Sequence, residues 1–367
     1  MRILLLPNAL KGSLSAELFF RTARQALATK HTVSGMCLSD GGDGFLDFFK
    51  ARYPRAKTKY CLAKDAFLKN HRVPFLFLPD RKTAIIETAK ICGLGNLPKN
   101  KLDILHASSY GVGQVLLKAV ACGAKTIYVG LGGVACSDGG AGMTAACGAR
   151  LIDKKNRPLA LGAKPLLQLV RVDFSAFEKN FQDIEIIGVA DVTNPLLGPK
   201  SSAKVFGPQK GATPAQVKLL DQAMANWARH IQKATGRKVA HQKSTAAAGA
   251  IASGLAGCFD AELVLGSQFL TEQFSLEKEF KKADLIITGE GKLDRQTFYG
   301  KAPLAVLKLA KRYHKPVLFI CGQLDERALK NQPLAPSKIA VLTDFAANAE
   351  DAQKHAAKYL QRILQNL

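Results

Sequence analysis

Short glycine-rich segments follow several predicted strands of this chain, and their residue types suit the binding of anions. Residues 130–142 (GLGGVACSDGGAG) carry six glycines in thirteen positions, between a predicted strand and a predicted helix. Glycine lets backbone N–H groups approach a ligand closely, and the N-terminus of the following helix favours negative charge. Residues 206–213 (FGPQKGAT) place Lys210 just before a long predicted helix, which also suits phosphate. A solvated Lys210 beside a plain N-cap at Thr213 explains that second segment equally well.

Carboxylates and a further lysine accompany glycines at other predicted strand ends. Residues 7–13 (PNALKGS), 39–44 (SDGGDG) and 288–294 (TGEGKLD) each follow a short apolar run, and Asp191 follows another. Ligands of an open parallel sheet bind beyond the carboxyl ends of its strands, so these segments predict one shared cleft. For any single segment, a tight turn before a helix is the plainer interpretation.

Carboxylates, lysines and glycine loops without a histidine or cysteine cluster favour phosphoryl transfer. That reaction needs carboxylates for Mg²⁺, lysines or backbone N–H groups for phosphate oxygens, and a base for the acceptor hydroxyl. The seven histidines are scattered and the eight cysteines form no C-x-x-C pair, so neither zinc nor a disulfide framework is expected. The sequence contains no G-x-x-x-x-G-K-[ST] or G-x-S-x-G segment, which argues against a P-loop enzyme and a serine hydrolase.

Alternating strands and helices at both ends of the chain must position these segments. Buried strands are predicted at residues 2–6, 32–38, 285–288, 316–320 and 339–343, and helices at residues 15–27, 303–312 and 350–367. The middle of the chain predicts a hairpin around residues 79–81 and a long helix at 214–235. We therefore predict an α/β protein in which residues 1–58 and 263–367 form a doubly wound parallel-sheet domain, with a second α/β domain inserted at 59–262.

Composition and charge limit the partners of this 367-residue chain. Apolar residues make up 47% and charged residues 22%, as in soluble globular proteins. Lysine and arginine outnumber aspartate and glutamate by 52 to 29, a net charge of +23 that favours anionic ligands. The cations are spread along the chain without interleaved aromatic residues, so nucleic acid is not expected as a partner. The uncharged stretch 244–259 is shorter than the about 20 residues that a membrane span needs, so no membrane partner is expected. We expect a cytoplasmic protein. The sequence leaves open whether it forms a homodimer.

Seven segments, taken together and in order, resemble those of one known family. They are residues 7–16 (PNALKGSLSA), 39–44 (SDGGDG), 110–113 (YGVG), 130–143 (GLGGVACSDGGAGM), 191–196 (DVTNPL), 206–213 (FGPQKGAT) and 288–303 (TGEGKLDRQTFYGKAP). They closely resemble the type I glycerate kinases of bacteria. The resemblance runs from the first predicted strand to the last helices, so it covers essentially the whole chain.

The resemblance implies ATP- and Mg²⁺-dependent phosphorylation of D-glycerate, commonly to 2-phosphoglycerate. It also implies a flavodoxin-like domain and an inserted α/β domain with the active site between them. Within the matching segments, Asp191, Asp40 and Lys11 are expected to be catalytic, with Asp40 and Asp191 also contacting the metal. The expected substrate-binding residues are Ser13, Asp138, Gly132, Gly133, Asn194 and Lys210. The expected nucleotide-binding residues are Gly139, Gly140, Glu290, Asp294 and Lys301.

This chain departs from the family pattern at three places, which leaves alternatives open. Residues 8–10 read Asn-Ala-Leu where the family generally has Asp-Ser-Phe, and residues 134–137 read Val-Ala-Cys-Ser where it has Ser-Ala-Thr-Asn. Residues 246–250 (AAAGA) replace Gly-Ala-Ala-Gly-Gly. One alternative is a protein of the same fold that binds a sugar acid or a nucleotide with weakened kinase activity, and another is phosphorylation of the 3-hydroxyl. A weak dinucleotide fingerprint at 130–135 leaves an oxidoreductase as a third interpretation.

Overall fold

The structure is a computed structural model that describes residues 1–10, 12–38, 41–42, 44–95, 102–177, 181–266, 268–269, 276–298, 302–330 and 332–367. Its strands are β1 (Arg2–Pro7), β2 (Thr32–Gly35), β3 (Lys57–Lys64), β4 (Asn70–Leu78), β5 (Thr83–Glu87), β6 (Thr126–Leu131), β7 (Arg150–Ile152), β8 (Arg171–Asp173), β9 (Glu185–Ala190), β10 (Glu262–Leu265), β11 (Leu285–Leu293), β12 (Val317–Leu324) and β13 (Lys338–Val341). Its helices are α1 (Ala16–Leu27), α2 (Phe45–Arg52), α3 (Ala89–Cys92), α4 (Tyr110–Ala121), α5 (Ala141–Ala146), α6 (Ser202–Phe206), α7 (Pro214–Thr235), α8 (Ile251–Cys258), α9 (Leu276–Lys282), α10 (Ala302–Arg312), α11 (Ala349–Lys354) and α12 (Ala356–Gln365).

The chain divides into two compact units, Met1–Asp40 with Gly266–Leu367 and Gly41–Leu265. The first unit holds a five-stranded sheet in the order β13-β12-β11-β1-β2, with every neighbouring pair parallel. Counted along the chain this is the order 2-1-3-4-5, which is the flavodoxin-like arrangement. β1 is buried at every residue after Arg2, because both faces of this sheet are covered. The predicted doubly wound α/β fold is confirmed.

Helix α1 begins where its capping residue predicts. The Ser15 hydroxyl accepts a hydrogen bond from the Leu18 N–H at 3.1 Å, which satisfies one of the free donors of the first turn. Phe19, Ala23 and Leu27 then face the sheet at helical spacing and join a core that also includes residues of α12. The single closing helix predicted at 350–367 is wrong, because the chain leaves helical geometry between α11 and α12.

Strand β11 extends further than the sequence predicts. It stays paired with β12 as far as Leu293, which lies opposite Leu324. Gly289 permits the close pairing, since a Cβ at that position would lie 2.1 Å from the Ile320 carbonyl oxygen. The predicted glycine loop at 288–294 is therefore wrong over most of its length, because those residues continue the strand.

The second unit is built on a six-stranded mixed sheet in the order β10-β9-β6-β5-β4-β3. The four strands from β10 to β5 are parallel, and β4 and β3 are antiparallel additions. The predicted hairpin around residues 79–81 is confirmed, with a 3-10 turn at Pro79–Arg81. Because β5, β6 and β9 run in parallel, their carboxyl ends lie at one edge of the sheet. Within the described ranges, no helix is both long enough and apolar enough to cross a bilayer.

The second unit begins earlier in the sequence than the predicted residue 59. Residues 41–58 belong to it because α2 packs on its sheet. The Phe49 ring of α2 stacks on Tyr128 of β6 with 5.6 Å between ring centroids. Burial of such aromatic side chains contributes about 1.5–3 kcal/mol each, enough to hold α2 to this unit. A sequence pattern does not reveal which sheet an apolar helix will contact.

Candidate active site

The loop between β6 and α5 holds several glycines whose backbone geometry is constrained. Gly133, Gly139 and Gly140 have φ angles of +64°, +67° and +77°, in the left-handed region that favours glycine. A Cβ at Gly139 would lie 2.5 Å from the Trp227 ring, so space as well as backbone geometry requires glycine there. The backbone of the loop at these positions therefore requires glycine, and the loop leads directly into the N-terminus of α5.

Asp138 holds this loop from inside. Its side chain is wholly buried, and its Oδ2 accepts hydrogen bonds from the Ser109 N–H at 2.8 Å, the Ser109 hydroxyl at 3.0 Å and the Gly142 N–H at 3.2 Å. The Gly140 N–H donates to Oδ1 at 3.3 Å. Burial raises the pKa of Asp138, and the hydrogen bonds from Ser109, Gly142 and Gly140 oppose that rise. The visible role of Asp138 is thus to organise the loop, and its predicted contact with substrate stays a prediction.

Lys210 reaches the same loop from the segment before α7. It ends a 3-10 turn at Pro208–Lys210 and is 4% exposed, so the interpretation as a solvated lysine is wrong. Its Nζ donates to the Cys136 carbonyl at 2.6 Å and to the Ser137 hydroxyl at 3.2 Å. Burial lowers the pKa of Lys210. Thr213 caps α7 through a full capping box with Gln216, which confirms the predicted cap.

Two side chains from α7 and α8 converge on the loop at Gly139. The Trp227 indole N–H donates to the Gly139 carbonyl at 2.8 Å, and the Ser253 hydroxyl lies 3.2 Å from the same oxygen. The wholly buried Trp227 also packs in the main core of this unit. The predicted ligand-binding loop is therefore fixed by residues 88 and 114 positions away in the sequence.

Replacing Gly139 by alanine should disable the loop. The new methyl group would meet Trp227 at 2.5 Å in a left-handed residue, so we expect loss of activity of at least about 100-fold and a lower melting temperature. Gly123→Ala is the matched control, because Gly123 also has a positive φ (+90°) but open space around its Cβ. Steady-state kinetics and thermal melts of both variants separate the clash with Trp227 from the cost of placing alanine at a positive φ. Equal losses of activity and melting temperature in the two variants would contradict the expected role of the clash.

Residues of the SDGGDG segment contact the same sheet edge. A Cβ at Gly41 would lie 2.1 Å from the Val189 carbonyl oxygen of β9, and φ at Gly41 is +97°. A Cβ at Gly132 would lie 2.8 Å from the Gly42 Cα. The two glycine segments therefore pack backbone to backbone in the second unit. The predicted catalytic residue Asp40 lies outside the described residues.

Asp191 and Asn194 follow β9 at this edge. Register pairs Ala190 with Leu131, so Asp191 and Gly132 are the first residues beyond the paired strands. Asp191 is half-buried. The Asn194 side-chain amide donates to the Lys200 carbonyl at 3.0 Å, and the Asn194 backbone carbonyl accepts a hydrogen bond from the Ala246 N–H at 3.1 Å. Asp191 is thus placed beside the glycine loop, while Asn194 shapes the turn after it.

The remaining predicted residues belong to the first unit or fall outside the described part of the chain. The Ser13 hydroxyl donates to the Leu10 carbonyl at 3.0 Å within a turn. Glu290 lies inside β11 rather than in a loop and is 5% exposed. The Asp294 N–H donates to the Thr297 hydroxyl at 3.1 Å. Lys11 and Lys301 lie outside the described residues.

Glu87 and Thr88, at the end of β5, are buried and bonded to the two glycine segments, and neither is among the site residues that the sequence predicts. Their position at the carboxyl end of a buried strand is the signal that would have found them. No glycine lies beside them in the sequence, unlike in the segments at residues 39–44 and 130–142.

A metal ion bound to a nucleotide needs few protein ligands. Mg²⁺ in such sites keeps several waters and is held by one or two carboxylates together with the phosphates. Among the described residues no group of three histidine, cysteine, aspartate or glutamate side chains could form a metal cage. The half-buried Asp191, beside the glycine loop, fits the role of the one or two carboxylates that such a metal ion needs.

The second unit places a glycine loop, bonded to the buried Lys210, and the Asp191 carboxylate at the carboxyl ends of parallel strands, an arrangement of the kind that enzymes of phosphoryl transfer use. Comparison with known proteins specifies it further. The family model for the glycerate kinase family matches residues 3–367, so the chain belongs to the glycerate kinase family.

Named relatives match over nearly their whole length. The chain is 33% identical to the glycerate 2-kinase of Escherichia coli K12 and 32% identical to the glycerate kinase of Bacillus subtilis 168; both matches cover 100% of this chain and 97% of the relative. A crystal structure assigned as glycerate kinase 2 of Salmonella typhimurium LT2 superposes with a TM-score of 0.81 at 32% identity. That match covers 100% of this chain and 96% of the other.

Proposed function

We propose that this chain transfers the γ-phosphoryl group of ATP to D-glycerate, giving 2-phosphoglycerate and ADP. The observation that carries the proposal is the glycerate kinase family match over residues 3–367. The geometry of the second unit supports it, because a fixed glycine loop, Lys210 and Asp191 are the groups that phosphoryl transfer requires.

The proposed roles follow the chemistry of each group. Asp191 takes the proton of the attacking hydroxyl or, together with Asp40, holds Mg²⁺; Lys11 is the third catalytic residue. When bound with the nucleotide, Mg²⁺ would supply charge neutralisation at the transferring phosphoryl group. The groups proposed to bind glycerate are Ser13, Asp138, Gly132, Gly133, Asn194 and Lys210. The groups proposed to bind ATP are Gly139, Gly140, Glu290, Asp294 and Lys301.

Lys210 can serve the loop and the ligand together. An ammonium group has three protons, and two of them are directed at the Cys136 carbonyl and the Ser137 hydroxyl. The remaining charge and proton favour an anion brought to the loop, either the glycerate carboxylate or a phosphate oxygen. The Gly139 and Gly140 N–H groups already donate to the Gly249 carbonyl at 3.2 Å and to Asp138 Oδ1 at 3.3 Å, so these two glycines contribute by shaping the loop around the ligand.

Phosphorus NMR of the reaction with D-glycerate and Mg-ATP tests the reaction and its regiochemistry together. We expect a 2-phosphoglycerate resonance that grows with ADP. A 3-phosphoglycerate resonance would support the proposed kinase activity and show that the acceptor is the 3-hydroxyl instead of the 2-hydroxyl. Absence of both, with glycerate or nucleotide still bound, would overturn the kinase activity in favour of a binding protein.

We also propose that the enzyme works in the cytoplasm. All eight cysteines are free thiols, six of them buried. Free thiols in this number are typical of a reducing compartment.

A further inference from the structure

The Glu87 carboxylate anchors the start of α2. Glu87 is the last residue of β5 and is 1% exposed. Its Oε2 accepts a hydrogen bond from the Leu46 N–H at 3.0 Å, and its Oε1 accepts one from the Gly44 N–H at 3.3 Å. These amides belong to the first turn of α2 and to the residue before it, where a negative charge also complements the helix dipole. Glu87 therefore sets the position of the segment that links Gly41 to α2.

The next residue, Thr88, anchors the other glycine segment. Thr88 is wholly buried, and its hydroxyl lies 2.8 Å from the Gly130 carbonyl oxygen. The Gly132 N–H donates to the same hydroxyl oxygen at 3.3 Å, and the Thr88 N–H donates to the Gly130 carbonyl at 3.1 Å. One hydroxyl thus acts as donor and acceptor at the point where β6 becomes the glycine loop.

We infer that Glu87 and Thr88 are positioning residues that hold the two glycine segments of the site against each other. The segments touch at Gly42 and Gly132, so a shift of either one displaces the other. Asp191 is the neighbour of Gly132 at the same sheet edge, so such a shift also changes the distance from the proposed base to the loop. This inference rests on the proposed function, because it assigns the two residues to that same site.

Isosteric substitutions test the role of the hydroxyl. Thr88→Val keeps the shape of the side chain and removes the hydroxyl, whereas Thr88→Ser keeps the hydroxyl and removes the methyl group. We expect Thr88→Val to lower kcat by about 10- to 100-fold, because displaced reacting groups cost that much, and Thr88→Ser to stay within about threefold of wild type. Thr83→Val is the matched control, since it deletes a hydroxyl bonded to the Arg81 carbonyl at the opposite end of β5.

The carboxylate is tested in the same way. Glu87→Gln keeps the volume but loses one acceptor and the charge, and we expect kcat to fall by about tenfold or more. Glu185→Gln, at the amino end of β9, removes a carboxylate bonded to Thr126 and should leave kcat unchanged. If both residues act on one arrangement, Glu87→Gln combined with Thr88→Val should lose less activity than the product of the single losses. Losses that simply multiply would overturn the shared role.

Hydrogen exchange separates this inference from the proposed function. Amides in residues 44–46 and 130–132 should exchange faster in Glu87→Gln and Thr88→Val than in wild type, with the Thr83→Val and Glu185→Gln controls unchanged. This readout does not require turnover, so failure of the wild-type protein to phosphorylate glycerate would overturn the proposed function alone. Unchanged exchange and unchanged kcat in both variants would overturn the positioning role. If Glu87→Gln does not fold, the comparison of Thr88→Val with Thr88→Ser still decides.

Discussion

Alanine in place of Asp191 is expected to lower kcat by about 10²–10⁴-fold, the range for a lost general base. Asp191 is the carboxylate that follows β9 beside Gly132, and it is the residue proposed to take the proton of the acceptor hydroxyl. The melting temperature should change little, because Asp191 is only half-buried and lies beyond the last paired residue of the strand. Steady-state kinetics with D-glycerate and a thermal melt measure both quantities.

A carboxylate elsewhere in the same unit controls for charge. Asp173 ends β8, in a separate two-stranded sheet with β7, and accepts a hydrogen bond from the Ser175 N–H at 3.0 Å. Asp173→Asn should keep near-native kcat. If Asp191→Ala also keeps near-native kcat, Asp191 is neither the base nor a metal ligand, and its proposed role is wrong.

Methionine in place of Lys210 is expected to lower kcat/KM by about 100-fold. The substitution keeps most of the side-chain volume but removes the donor to the buried Cys136 carbonyl at 2.6 Å. An unsatisfied buried carbonyl costs about 1–3 kcal/mol, so a lower melting temperature is expected as well. Kinetics well below that temperature isolate the loss of the positive charge at the loop.

The pH dependence distinguishes the charge of Lys210 from its volume. Burial lowers its pKa, so the ammonium form is lost at a lower pH than in an exposed lysine. Wild-type kcat/KM should therefore decline on the alkaline side, and Lys210→Met should lack that decline. Lys218→Met is the control, since Lys218 is an exposed residue of α7. An identical alkaline decline in Lys210→Met would show that another group titrates.

Local signals account for the elements that the sequence predicts well. Apolar runs place the parallel strands of the first unit, and capping residues place the starts of α1 and α7 at Ser15 and Thr213. Both kinds of signal involve residues within about four positions of each other. The extension of β11 escapes such patterns because its partner, β12, lies about thirty residues later in the chain. Because β11 pairs with a strand so far along the chain, residues 288–293 form strand where the sequence predicts a loop.

By itself the sequence determined the α/β class, the glycine segments and the family to which their order belongs. Those properties depend on residue types in short stretches. The tertiary structure alone decided which polar groups hold the loops, because their partners are distant in the chain: Lys210 bonds a carbonyl 74 residues away and Trp227 one 88 residues away. Burial then makes those bonds energetically important, since an unpaired polar group there has no water to replace its partner. For that reason the sequence could not show that Asp138 is buried and bonds the loop, and only the fold revealed the contacts of Glu87 and Thr88.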